Sequence, residues 1–217
     1  RSYSFIEDHF ARVNLAMAQG KPCVKVGVIH PIESYWLYFG PEEQTANIRE
    51  HLEHNFDSVI NWLLFGLIDF DFIAESLLPE QSVVEVKDLF HVGKCSYDVI
   101  IVPECKTIRK TTLDRLNAFA KGGGKVIFMG DAPKLVEALL SKDVIELSQK
   151  CVSIPFSQTD LLEKLELIRT VDIRHSNGVR ADKYLYQMRD VGDAKWLFIA
   201  NGKKVTTPDV TRSEEHT

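Results

Sequence analysis

His30, Glu33, Tyr35, Trp36 and Tyr38 lie close together in the chain and combine the side chains that sugar recognition uses. Aromatic rings offer flat apolar faces to the C–H side of a pyranose, while an imidazole and a carboxylate exchange hydrogen bonds with hydroxyls. The cluster therefore points to a carbohydrate-lining loop with His30, Glu33, Tyr35 and Trp36 as the contact residues. The same rings also suit an interface with a neighbouring domain, and residue types alone leave both readings open.

Other residues suggest chemistry less strongly. Glycoside hydrolysis needs two carboxylates roughly 5 to 9.5 Å apart across a cleft. Glu33 and Glu104 both follow expected strand ends, where open parallel sheets place their ligands. Asp69 and Asp71 stand two apart on an expected strand, which reads as its wet face. Cys105 also follows a strand end, but no flanking glycines build the sharp turn that an exposed nucleophile requires, so it reads as a structural thiol. His51 and His54 lack the HExxH spacing of a zinc site and read as part of a solvated helix face. Gly122-Gly123-Gly124 follows an expected helix and precedes a strand, the reverse of a phosphate loop, and so reads as a helix end and turn. From these residues we assign no catalytic group, cofactor site or metal site.

Those side chains need a scaffold, and composition limits its kind. The chain has 217 residues, 45% hydrophobic and 26% charged, with a net charge of -5. This is an ordinary soluble balance, long enough for one α/β domain with an appendage. It offers no basic footprint for nucleic acid or for an anionic membrane, and no apolar run long enough to span a bilayer. Cys23, Cys95, Cys105 and Cys151 are scattered without metal-type spacing and read as free thiols, although disulfides stay open for an exported protein. Cytoplasmic and exported locations both remain open. The chain begins Arg1-Ser2-Tyr3 with no Met, so a fragment of a longer protein is expected.

Periodicity supplies the elements. Ser4 to Ala18 reads as a helix, stopped by Gly20 and Pro22. Val24 to Ile29 reads as the first strand, and His30 to Gly40 as a loop. Pro41-Glu42-Glu43 opens a long helix to about Phe65, with Ile48, Leu52, Phe56, Val59, Ile60 and Leu63 on one face. Ile68 to Ile73 and Val83 to Val86 are further strand candidates, and Tyr97 to Pro103 reads as a central strand buried on both faces. Thr111 to Ala120 is a helix with a Thr N-cap candidate. Lys125 to Gly130 is a strand, and Ala132 to Leu140 and Leu161 to Ile168 read as helices. Tyr184 to Asp190 and Lys195 to Ala200 alternate like an antiparallel hairpin, and Thr206 to Thr217 reads as a frayed end. The sum is a doubly wound α/β domain over 23–180, preceded by a linker helix over 1–22. Residues 181–217 form a β-hairpin region, either edge strands or the start of a following β domain.

Leu67 to Pro133, with "GLIDFDFIAESLL" and "YDVIIVPECKTIRKTTLDRLNAFAKGGGKVIFMGDAP", resembles the amidotransferase-like domain that follows the catalytic barrel in certain bacterial glycoside hydrolases. Such a domain occurs in the β-galactosidases with a trimerisation domain and in large α-L-rhamnosidase-like enzymes. The opening "IEDHFARVNLAMAQGKPCVKVGVIHPIESYW" resembles the join between barrel and domain in the latter group, and the likeness spans roughly residues 5 to 140. It implies a flavodoxin-like, class I amidotransferase-like three-layer fold without the Cys-His-Glu machinery, in keeping with the lack of G-x-C-x-G here. It further implies that the catalytic carboxylates lie in a barrel outside these residues. The expected role is a non-catalytic accessory domain in carbohydrate metabolism. Its partners would be the barrel of the same parent chain, a carbohydrate and a homo-oligomer contact, with no cofactor. The alternative is a stand-alone small-molecule-binding or hydrolytic domain. It would use the pocket at the ends of the first and fourth strands, Val24 to Ile29 and Tyr97 to Pro103.

Overall fold

The computed structural model describes residues 3–202. The end from Thr206 to Thr217, expected to fray, lies outside the described residues. Five parallel strands, β1 (Val26–Ile29), β2 (Phe70–Ile73), β3 (Val99–Val102), β4 (Lys125–Met129) and β5 (Val152–Ile154), make one sheet in the order β5-β4-β3-β1-β2. β1 and β3 are buried along their whole length, and so their sequences Val-Gly-Val-Ile and Val-Ile-Ile-Val show no polar alternation. Gly27 is the one small residue of β1, and a Cβ there would stand 2.6 Å from Ile73 Cδ1.

The helices are α1 (Tyr3–Met17), α2 (Ile32–Leu37), α3 (Glu42–Phe65), a single turn α4 (Leu78–Gln81), α5 (Lys110–Lys121), α6 (Asp143–Lys150) and α7 (Gln158–Leu165). Because side chains alternate along a strand, each strand feeds two cores. Ile100, Val102, Val126 and Phe128 pack with Leu113, Leu116 and Phe119 of α5 and with Val144 and Leu147 of α6. Val99, Ile101, Ile127 and Met129 pack with Val59 and Leu63 of α3 and with Leu161 and Leu165 of α7. Each such side chain contributes about 1.5–3 kcal/mol by leaving water. The spacing of Leu52, Asn55, Val59 and Leu63 along α3 is the stripe that period 3.6 dictates.

α1 is the exception. None of its residues is buried, and Tyr3, Phe5, Ile6, Phe10 and Leu15 all face solvent. It runs into a two-residue strand, Lys21–Pro22, which pairs antiparallel with Tyr184–Asp190. That strand pairs in turn with Lys195–Asn201, so the hairpin expected near the end belongs to a separate three-stranded sheet and not to the edge of the parallel one.

Several expectations need correction. His30 to Gly40 is not an open loop, because Ile32–Leu37 coils into α2. Val83 to Val86 is exposed and makes no strand, since β-branched residues need a partner strand and none lies alongside. Ala132 to Leu140 has helical spacing but forms a hairpin, Leu135–Val136 against Leu139–Leu140. The tertiary pairing of Leu135–Val136 with Thr107–Ile108 overrides the local preference. Helix α5 starts two residues earlier than it would with Thr111 as its cap. Its N-cap residue is Arg109, whose N–H is taken by the remote carboxylate of Glu75 at 2.8 Å. α6, β5 and the hairpin Phe90–Val92 with Cys95–Tyr97 were not anticipated. The three glycines after α5 do form its end and turn. Gly123 sits at φ +91°, while a Cβ on Gly122 would press on the Lys87 backbone and one on Gly124 on the Phe119 ring.

Candidate functional site

In a sheet of order 2-1-3-4-5 the winding reverses between β1 and β3, and the crevice outside their carboxyl ends is where such folds hold ligands. Here α2 lies across that crevice. Ser34 is fully buried, and its Oγ accepts the N–H groups of Lys106 and Thr107 at 2.9 and 3.1 Å while donating to the Thr107 carbonyl at 3.3 Å. One proton and two lone pairs are all used, so the hydroxyl staples α2 to the segment after β3.

Cys105, at the head of that segment, is sealed beneath the staple. Burial, with the Glu75 carboxylate adding to it, pushes the thiol well above its ordinary range. A nucleophilic cysteine needs the opposite, a lowered value and access. The peptide carrying Cys105 is therefore expected to stay unlabelled by iodoacetamide in the native chain and to label fully in guanidinium. Native labelling as fast as that of the half-exposed Cys23 would contradict this reading.

Glu75 follows β2 and is 2% exposed. Burial raises its carboxyl to about 7, against the lowering effect of the Arg109 N–H. Arg109 in turn pairs its side chain with Glu33 of α2. Glu104, after β3, accepts from Asn55 Nδ2 at 3.0 Å, His51 Nε2 at 3.2 Å and Lys106 Nζ at 3.3 Å. His51 thus does more than decorate a wet helix face, since it and the buried Asn55 lock α3 to the end of β3. Asp69 and Asp71 do not form a wet strand face. Burial, reinforced by Asp71, raises Asp69 to about 6, and Asp71 accepts the Tyr97 hydroxyl at 3.0 Å.

The coiling of α2 splits the sugar-type residues between two places. His30 and Tyr35 line a cavity of about 210 Å³ with Pro31, Ile32, Leu52, Glu53 and Phe56. The His30 ring packs edge-on against Phe56 and Phe72, and burial lowers its pKa, which favours the uncharged ring. Glu33 and Trp36, one helical turn apart, lie instead on a groove of about 430 Å³ with Leu37, Thr107, Arg109, Glu137 and Ala138. Trp36 is 58% exposed there. Neither the Glu75 contact nor the Arg109 pair was anticipated. The signal that drew attention to Glu33 and Glu104, an acid just past a strand, also marked Glu75.

Comparison with known proteins adds no relative. No family model, curated protein or solved structure matches the chain. The chemistry must be read from the arrangement itself. Among the described residues no group of three or more His, Cys, Asp or Glu is placed to hold a metal ion. No described helix is long and apolar enough to cross a membrane. The arrangement suits binding: an imidazole in an apolar cavity, and an ion pair beside an open indole.

Proposed function

We propose that the chain is a non-catalytic accessory domain of a glycoside hydrolase, flavodoxin-like and class I amidotransferase-like, which packs on a catalytic barrel and contributes to the substrate cleft or an oligomer interface. The observation that carries this reading is the closed switch-point crevice. The strand order is the flavodoxin-type one, yet the place where that fold works is filled by α2 and stapled by Ser34. A scaffold whose switch-point crevice is covered has its outer surface left for contacts. The exposed apolar residues of α1, among them Phe5, Ile6, Phe10 and Leu15, support docking on a neighbouring domain.

Two measurements test this. The complete open reading frame is expected to encode a barrel with its own carboxylate pair upstream of these residues. A frame with no such barrel would count against the proposal. In parallel, the 217-residue chain is expected to show no turnover of aryl glycosides. Robust hydrolysis by these residues alone would favour the second reading, a stand-alone small-molecule-binding or hydrolytic domain. The apolar cavity at His30 speaks for that reading, as it lies at the end of β1.

A further inference from the structure

We propose that the groove between α2 and the hairpin turn Glu137–Ala138 is a preformed subsite for one neutral pyranose ring. The ring would stack on Trp36, with adjacent hydroxyls bonded to the Glu33–Arg109 pair. The inference rests on the accessory-domain reading and names what its surface would bind.

The first argument is how the groove is held. Buried polar side chains are costly unless they secure something. Three of them here fix its three walls. Ser34 holds α2, which carries Glu33, Trp36 and Leu37. Glu75 holds the Arg109 backbone through its N–H. Thr107, 5% exposed, accepts the Ala138 N–H at 3.1 Å and so pins the opposite turn. Glu137 at φ 51° and Ala138 at φ 65° form the two-residue loop of that hairpin, a tight turn that fixes the position of this wall. The walls are thus set before any ligand arrives, which reduces the entropy cost of binding.

The second argument is chemical. A volume of about 430 Å³ lies in the range of small-ligand sites. An exposed indole with a polar pair at its foot matches a ring that has one C–H face and a hydroxyl edge. Glu33 accepts and Arg109 donates, as two neighbouring hydroxyls require. Charge selects a neutral sugar. Arg109 is already matched by Glu33, and Glu137 adds a further carboxylate to the wall. A uronate would face the carboxylates of Glu33 and Glu137 on the groove lining, Glu137 being partly offset by Lys110, whereas a hexose or 6-deoxyhexose carries no charge to be repelled.

The test titrates the 217-residue chain with methyl glycosides of neutral hexoses and 6-deoxyhexoses, and separately with glucuronate and galacturonate. The readout is the indole N–H resonance of Trp36, assigned by its loss in Trp36→Phe. Neutral glycosides are expected to shift it saturably, and the uronates to bind more weakly. Trp36→Ala should abolish binding, followed by sugar-observed saturation transfer. Arg109→Met should weaken it by about tenfold or more, the loss of a charge-assisted hydrogen bond, with the backbone amide spectrum otherwise preserved. If Arg109→Met disturbs that spectrum, Glu33→Gln serves in its place with the same expectation. The inference is overturned if no neutral glycoside moves the resonance, if Trp36→Ala binds as well as the parent, or if uronates bind more tightly. The two proposals fail separately. Glycoside turnover by the chain would defeat the accessory reading and leave the subsite intact, whereas absent sugar binding without turnover would do the reverse.

Discussion

Ser34→Ala is expected to cost the folded chain about 3 kcal/mol and to open the protected Cys105 to labelling. The side chain is small and its burial contributes little, so the loss comes from hydrogen bonding. In the native chain Oγ takes two backbone N–H groups and gives its proton to a carbonyl. Alanine leaves Lys106 N–H and Thr107 N–H facing a methyl group in a buried place. An orphaned buried donor costs about 1–3 kcal/mol, and here there are two. For a chain of this size that is a fall of roughly 6–12 °C in Tm. Denaturant unfolding gives the free energy, and iodoacetamide labelling of the Cys105 peptide gives the local opening. A loss below about 1 kcal/mol, the net value of one ordinary bond, with Cys105 still protected, would show that α2 is held by other contacts. The crevice would then not be closed by this residue.

Much of the scaffold could be read from the chain because its core obeys simple periods. Val99 to Val102 and Val126 to Met129 are continuous apolar runs bounded by turn or polar residues, as strands buried on both faces need. Leu52, Val59 and Leu63 announce α3 by spacing alone. Where local pattern and tertiary pairing disagree, pattern misleads. Leu135, Val136, Leu139 and Leu140 sit at helical intervals, yet Thr107–Ile108 offers Leu135–Val136 a strand edge and the segment takes it. Val83 to Val86 has the right residue types and no edge to join.

The candidate site was legible in part. Glu33 and Trp36 stood out by type, and the structure sets them on one groove. His30 and Tyr35 stood out equally but lie in the cavity on another side of α2. The sequence offered Pro31 and a polar-aromatic cluster, which suggested an open loop. Whether six residues coil depends on what they can be stapled to, and the staple is Ser34 to a segment more than seventy residues away. No local rule carries such a contact. Arg109 was missed for the same reason, since it is unremarkable in its own stretch and acquires a role only when the ends of β1, β2 and β3 are brought together. Glu75 carried the same signal as Glu33 and Glu104, an acid just past a strand, but its partner lies on a remote element.

Glu75→Gln is expected to stabilise the chain by about 3 kcal/mol at pH 8 and to leave it nearly unchanged below pH 4.5. The carboxyl titrates at 4.5 in a solvated reference and at about 7 in the fold, chiefly because burial disfavours its charge. Below 4.5 both folded and unfolded chains carry the proton, and the group makes no pH-dependent contribution. Between 4.5 and 7 the unfolded chain releases its proton while the folded chain keeps it, so stability falls as pH rises. Above 7 both are ionised and the cost of the buried charge is fully developed. Glutamine keeps an oxygen for the Arg109 N–H and removes the charge, so its advantage should grow across that window and then level off. Thermal melts at pH 4.5, 6 and 8 would follow it. A difference that does not change with pH would mean that Glu75 is not protonated in the fold. A companion substitution addresses why a stabilising exchange is absent from the native chain. Glu75→Ala removes the acceptor as well as the charge, which frees the Arg109 N–H and the start of α5. If Glu75 is retained to set Arg109 against Glu33, the alanine variant should bind neutral glycosides more weakly and the glutamine variant should bind as the parent does. Equal binding in all three would mean that the carboxylate serves the fold near the helix start and not the groove.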